Sequence, residues 1–405
     1  NRGAWKPAEG FIGDFQLDLL RYGKYSGDFL TTAGDYFLLS GKCPTVRASD
    51  TAAVVFNALA RNPDAGYQYL TGTYNDGSEN LPRIQYLLRH STMSYPDDGS
   101  NRALARLIDA AGFSGDGHID GAGRLLQDIG SIPTANEVDD SLRPAIERLL
   151  AGYIGNFAGF DPQSNSATRQ YNAGNFTWQE RLFQIAELNG DGNPDPARMR
   201  QLDTAIVRWL ATGLGSHPQN AGRVFQEAGA LFGLALLPQR KALWNNYDEA
   251  AMRTQMASFL AGTLAAFLPG GAPVAILANT VITIASGYLG PSTSDTQVSD
   301  YDITRSSKAI STAMLITYLA ARNPDVLPPS LRRQPIFQPG THKLNPAAKP
   351  YLQALENYAM DPNANSFDGL GLSPSELASA QRWAKDIGNL SQGIQNYANV
   401  PPDAN

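Results

Sequence analysis

The stretch DSLRPAIERLLAGYIGNFAGF, Asp140–Phe160, carries Leu142, Ile146, Leu149, Leu150, Tyr153, Ile154 and Phe157 at spacings of three and four. Apolar residues so spaced share one face of a 3.6-residue helix and can be buried together. PARMRQLDTAIVRWLATGL, Pro196–Leu214, repeats the pattern with Met199, Leu202, Ile206, Trp209 and Leu210. Alternating runs closed by Asn-Gly or Asp-Gly turns are scarce. The expected fold is all-α, a multi-helix globular assembly.

Working outward, Asn-Pro-Asp recurs within ALARNPDAGYQYL (Ala58–Leu70), GDGNPDPARM (Gly190–Met199) and YLAARNPDVLPPS (Tyr318–Ser330). Asn ends or caps a helix, Pro fits the first turn, and Asp complements the dipole there. The tripeptide therefore marks helix boundaries; its uneven spacing does not make a repeat. From Thr254 to Ser294 no residue is charged, and LPGGAP, Leu268–Pro273, breaks the run. The pattern predicts an apolar helical hairpin over 255–289, with arms Gln255–Phe267 and Val274–Tyr288. Each arm is shorter than the roughly 20 residues that span a bilayer. The hairpin reads as a buried centre, with membrane insertion or self-association as the other readings.

Pro328, Pro329, Pro335, Pro339, Pro346 and Pro350 rule out a continuous helix and predict an extended connector. A last helix is expected near Ser373–Tyr397, with Ser373 as N-cap, Pro374 in the first turn and Glu376 closing a capping box. Three regions are thus expected: an N-terminal helical region over 1–130, a helical core region over 131–327 that holds the hairpin, and a connector with its terminal helix over 328–405.

The 405-residue chain has a net charge of −6 and a pI near 5.3, which argue against a phosphate-binding surface. Lys and Arg do not cluster among aromatics, so nucleic acid is not an expected partner. One cysteine, Cys43, forbids an intrachain disulfide. The opening NRGAWKPAEGF has no initiator Met, basic n-region or apolar h-region, and reads as a mature product or a fragment.

Reactive motifs are sparse. His90, His118, His217 and His342 make no HExxH pair, and no GxSxG, GxxxxGK[ST] or GxGxxG motif occurs. Cys43, in LLSGKCPTV, reads as packing, although the sequence leaves a Cys43–His pairing open. Glu180 beside Trp178 is the first choice for carboxylate chemistry of the glycosidase kind, against the plainer reading of a solvated helix face. No catalytic residue is assigned.

Calcium is the one cofactor with candidate ligands. Asn189, Asp191, Asn193 and Asp195 alternate with glycines in ELNGDGNPDP, and Asp116 and Asp120 lie in DGHIDGAGRLLQ. An EF-hand loop needs a bidentate Glu at its twelfth position. With Glu187 first, that position is Arg198; with Asp116 first, it is Gln127, and His118 stands third. Both loops lack the decisive carboxylate, so ELNGDGNPDPARM reads as an acidic hinge. Trp178, Leu182, Ile185 and Leu188 stripe the helix before it, and Asp195 caps the helix after it, with Pro196 at the first position.

Five stretches, in order, resemble an actinobacterial family of unknown function found in type VII secretion-associated and polymorphic-toxin-like proteins. They are AAVVFNALARNPDAGYQYL, NLPRIQYLLRHSTMSYPDDGSNRALARLIDAA, LRPAIERLLAGYIGNFAG, NAGRVFQEAGALFGLALLPQRKAL and LAAFLPGGAPVAILANTV, spread over Ala52–Ser294. The resemblance implies an all-helical region with no established catalytic residues, following a small secreted hairpin with a Trp-X-Gly turn. Here Trp5, Trp178, Trp209, Trp244 and Trp383 are never followed by X-Gly, and Tyr358 reaches Asp361 one residue too soon for the Tyr-X-X-X-Asp/Glu signal. The function expected is a non-enzymatic, extracellular or cell-surface scaffold acting through protein contacts or self-association. A membrane-active protein inserting 255–289 and a cell-wall hydrolase using Asp/Glu are the alternatives.

Overall fold

A computed structural model describes residues 19–39, 48–75, 80–94, 98–158, 177–193, 195–216, 220–245 and 349–398. Helix accounts for 76% of this part, which makes the fold mostly α. The 255–289 hairpin, the proline-rich connector up to residue 348, Cys43 and the third Asn-Pro-Asp lie outside the described residues, while Pro350, expected in the connector, stands in the first turn of a helix, where its missing N–H costs nothing. Two compact units divide the chain, Asn1–Tyr153 with Phe176–Gly192, and Ile154–Asn175 with Asn193–Asn405.

In the first unit, α1 (Gly27–Gly34) starts at Ser26, whose Oγ accepts the Phe29 N–H at 3.4 Å, and runs into a π turn, Asp35–Leu39. Next come α2 (Ala48–Ala60) and α3 (Pro63–Thr71), separated by the first Asn-Pro-Asp. Asn62 Oδ1 accepts the Ala65 N–H at 3.4 Å with Pro63 in the first turn, so this copy caps as expected. A short antiparallel ribbon, β1 (Thr73–Asn75) and β2 (Asn80–Pro82), pairs Tyr74 with Leu81. Its strands are too short for an alternating pattern to register in sequence. Tyr74 packs edge-on to Tyr86 and donates to the Leu39 carbonyl at 2.8 Å.

Beyond the ribbon lie α4 (Arg83–Ser94), α5 (Asp98–Phe113), α6 (Gly115–Ile119), α7 (Gly123–Gly130), α8 (Arg143–Gly152) and α9 (Thr177–Glu187). Arg83 begins α4 and forks onto Asp35, with Nε to Oδ1 at 2.7 Å and Nη2 to Oδ2 at 2.8 Å, tying the ribbon's exit to the π turn. The core centres on α5, which packs against α2, α3 and α8; α9 packs on α7 and α8. Leu104, Leu107 and Ile108 on α5 meet a buried set that includes Leu59, Leu70 and Leu149. Burying each such side chain contributes about 1.5–3 kcal/mol.

The Asp140–Phe160 pattern folds as expected in kind but in two pieces. Ile146, Leu149 and Leu150 are buried on α8, and Leu142 is buried just before it. At Tyr153 the N–H is shared between the Leu149 and Leu150 carbonyls, both at 3.2 Å, and the chain tightens into a 3₁₀ turn, Ile154–Phe157, that belongs to the second unit.

The second unit holds α10 (Pro196–Ser216), α11 (Ala221–Asn245), α12 (Lys349–Met360) and α13 (Pro374–Ala398). The capping box at the start of α13 forms as the sequence predicts. Ser373 N–H donates to Glu376 Oε2 at 2.9 Å, and the Glu376 N–H reaches Ser373 Oγ at 3.4 Å. Among the described residues of this unit, helices α11 and α13 pack backbone against backbone. A Cβ on Gly229 would stand 2.1 Å from the Leu390 carbonyl oxygen, and one on Gly393 would stand 2.2 Å from that of Gln226. Only glycine lets the two backbones touch here.

Candidate functional site

The turn linking α5 to α7 is fixed from several sides. Asp64, in the first turn of α3, accepts the Asp116 N–H at 2.9 Å. Gln68, one turn further along α3, donates its amide to Asp116 Oδ2 at 3.0 Å. Tyr67 Oη donates to Asp120 Oδ2, which also accepts the Arg124 N–H at 3.1 Å. Gly115 adopts φ +55°, and a Cβ there would fall 1.3 Å from Asp64 Oδ1, so the sequence must place glycine opposite that carboxylate. Ala122 is left-handed too, at φ 53° and ψ 19°, and wholly buried. That conformation costs a residue with a Cβ about 1–2 kcal/mol, and it persists where its surroundings over-determine it. Its N–H is held by the Gly117 carbonyl at 2.6 Å.

Two large apolar side chains face water at this turn, among exposed polar neighbours that include His118 and Asp120. Ile119 is 86% exposed and Phe113 40% exposed. The Phe113 ring stacks on Tyr153, centroids 5.6 Å apart and planes inclined by 15°. Tyr153 Oη donates to the Gly112 carbonyl at 2.7 Å and lies 3.4 Å from His118 Nδ1. A large aliphatic side chain in water on a braced turn costs free energy in the isolated chain that contact with a partner would recover.

The calcium candidates are placed as follows. Asp116 and Asp120 spend carboxylate oxygens on Gln68 and Tyr67 of α3, and His118, at the third position, is exposed beside Tyr153. In the other loop Glu187 is wholly buried on α9, Asn189 is half-buried and Asp191 is exposed. Gly190 gives its N–H to Asp140 Oδ1 at 2.7 Å, and Gly192 turns the chain at φ +78°. Asn193 is exposed. Asp195 caps α10, accepting the Ala197 N–H at 2.9 Å and the Arg198 N–H at 3.3 Å, with Arg198 Nε 3.2 Å from its other oxygen. The cation at the twelfth position is thus the ion-pair partner of a would-be ligand. Among the described residues no group of three or more His, Cys, Asp or Glu gathers as a metal centre.

Glu180 accepts a hydrogen bond from Gln184 one turn along α9, at 3.0 Å, and Trp178 beside it is half-buried. The residue that sequence reasoning missed is Arg143. Wholly buried, it donates to the carbonyls of Ala135 (2.7 Å), Val138 (3.0 Å from Nη2), Ile185 (3.3 Å) and Leu188 (2.8 Å). An arginine at the first position of a helix gives no sign in sequence of being a hub; only the fold brings those carbonyls to it.

Among the described residues no helix is long and apolar enough to cross a membrane. Compared with known protein families, with curated proteins and with solved structures, the chain matches none.

Proposed function

We propose that the chain is a non-enzymatic helical scaffold, extracellular or on the cell surface, that acts through protein contacts made by the α5–α7 turn. One observation carries the reading: Ile119, 86% exposed, stands on a turn braced by Asp64, Tyr67, Gln68 and the left-handed Ala122. Rigid presentation lowers the entropy lost on binding, and an exposed aliphatic anchor supplies apolar area at a contact's centre. The resemblance to type VII secretion-associated proteins supports the location and the lack of catalytic residues.

A photo-crosslinking amino acid at position 119, with another at position 124 as comparison, tests this in the secreted and surface fractions of the producing cell. A discrete protein adduct at 119, lost on Phe113→Ser and absent at 124, is expected. No adduct, together with release of soluble fragments from peptidoglycan, would replace this reading by the hydrolase.

The uncharged Thr254–Ser294 run favours a second reading, insertion of the 255–289 hairpin into a bilayer. Liposome leakage between about pH 4 and 7.5 tests it; absence of release across that range sinks it.

A further inference from the structure

The large apolar side chains exposed among the described residues stand in two places on the first unit. Phe113 and Ile119 belong to the α5–α7 turn; Leu19 and Tyr22, three residues apart, share one side of the helical turn 19–22. That second turn also supplies Arg21 to a cavity of about 310 Å³, completed by Val54, Asn57, Ala60 and Arg61. Val54 and Ala60 give the cavity an apolar wall. Residues 61–64 link the two places. Arg61 donates through Nη2 to the Leu20 carbonyl, Asn62 donates its amide to the Tyr25 carbonyl at 3.1 Å, and Asp64 accepts the Asp116 N–H at 2.9 Å. A projecting aliphatic side chain and an apolar cavity are thus neighbours on one unit, each tied to the same four residues.

The charges are complementary too. Asp64 is held by a backbone N–H and Asp116 by the Gln68 amide, neutral donors that orient a carboxylate without cancelling its charge. Asp116 and Ile119, three residues apart on α6, share a face. Beside the cavity, Arg61 is exposed and bonded to a carbonyl, which likewise leaves its charge in place. Among the described residues no ion pair engages Asp64, Asp116 or Arg61. Ile119, being exposed, does not fill the cavity of its own copy. A second copy related by a two-fold axis offers its cavity to this side chain and its own Ile119 to this cavity, so every contact is made twice. We propose that the partner at Ile119 is a second copy of this chain, in a two-fold dimer where Ile119 rests against Val54 and Ala60, and Asp64 and Asp116 face Arg61. The inference rests on the reading of Ile119 as a contact residue and names what it contacts.

Sedimentation velocity of the purified full chain over a wide range of concentration tests this, with a photo-crosslinking residue at 119 as the second readout. A concentration-dependent dimer is expected, and the adduct formed by the purified chain should join position 119 to the segment 54–61. Ile119→Asp, at an exposed position, should weaken the dimer at least about tenfold. Ala60→Phe, which fills the cavity, should weaken it from the other side of the contact. Asp116→Asn keeps an acceptor for Gln68 but removes the charge, and should weaken it by a smaller factor while far-UV circular dichroism stays unchanged. A wild-type chain that stays monomeric throughout, or a dimer indifferent to both Ile119→Asp and Ala60→Phe, would overturn the inference. A monomeric purified chain that still gives an adduct at 119 with a different protein in cells would overturn it and leave the contact function standing. No adduct in either setting would remove both.

Discussion

Asp140 Oδ1 accepts the Gly190 N–H at 2.7 Å, and the same oxygen stands 3.1 Å from the buried Arg143 Nε. One carboxylate therefore joins the start of α8 to the acidic loop that ends α9. Arg143 reinforces the join through the Ile185 and Leu188 carbonyls. Removing a buried, fully bonded cation strands its acceptors and costs about 3–5 kcal/mol. Arg143→Met is expected to lower the midpoint of urea unfolding, with an unfolding free energy smaller by that order. Arg143→Lys restores charge without the fork and should recover only part. A wild-type midpoint for Arg143→Met would show that the hub does not hold the unit together.

Calcium should leave the protein unchanged. Three of the four carboxylates that looked like ligands are engaged, Asp195 with the first turn of α10 and Arg198, Asp116 with Gln68 and Asp120 with Tyr67, while Asp191 is exposed. At about 5 mM calcium, above the range of the weakest extracellular modules, the melting temperature is expected to move by less than about 1 °C. A rise of several degrees would restore the metal reading of ELNGDGNPDP.

These two loops also show what was legible beforehand. Helix period, the Ser373–Glu376 box and the Asp195-Pro196 cap depend on neighbours within one turn, so spacing alone exposes them. The two described Asn-Pro-Asp copies nevertheless cap in different registers: Asn62 caps before Pro63, whereas Asp195 caps before Pro196. The second proline moves the helix start by two residues. The turn at Asp116 was read through its carboxylates, which prove to be braces, while its exposed apolar residue went unnoticed. Solitary Ile119 carries no periodic signal, and its exposure follows from contacts to Asp64 and Tyr67 some 50 positions away in sequence. Arg143 escaped for the same reason.

Gly115→Ala tests whether the turn is as constrained as its geometry implies. A methyl group would meet Asp64 Oδ1 at 1.3 Å and force a residue with a Cβ to φ +55°. Left-handed strain alone is about 1–2 kcal/mol, and displacing Asp64 also loses its bond to the Asp116 N–H. The expected loss is about 2 kcal/mol or more, read from denaturant unfolding, together with loss of the position-119 adduct. Retained stability would mean that Asp64 swings away freely.

Asp128, on α7, gives a pH dependence. Burial pushes its carboxyl up to about 6 from 3.8, against the weaker opposing pull of Arg124, whose Nε lies 4.0 Å from Oδ2. The folded state thus holds a proton that the unfolded chain has already lost between about pH 4 and 6, so stability from this group falls as pH rises through that window. Asp128→Asn is neutral throughout and should raise the melting temperature at pH 7.5, on the order of 1 kcal/mol after allowing for the partly solvated site, yet match wild type near pH 4. A variant less stable than wild type at pH 7.5 would show that the ionised carboxylate is favoured where it stands.

The glycine contact of the second unit sets two known effects against each other. Replacing glycine by alanine inside a helix ordinarily stabilises by about 1 kcal/mol. At Gly229 and Gly393, however, the added methyl would meet backbone, the Leu390 and Gln226 carbonyl oxygens at 2.1 and 2.2 Å, and no rotamer change can relieve it. Overpacking of this kind costs about 1–3 kcal/mol and draws the helices apart along their length, so it should win over propensity. Gly229→Ala and Gly393→Ala are each expected to lower the melting temperature. The double variant should lose less than the two losses added together, because the first substitution already opens the contact that the second would crowd. A higher melting temperature in either single variant would show that α11 and α13 do not touch at these glycines.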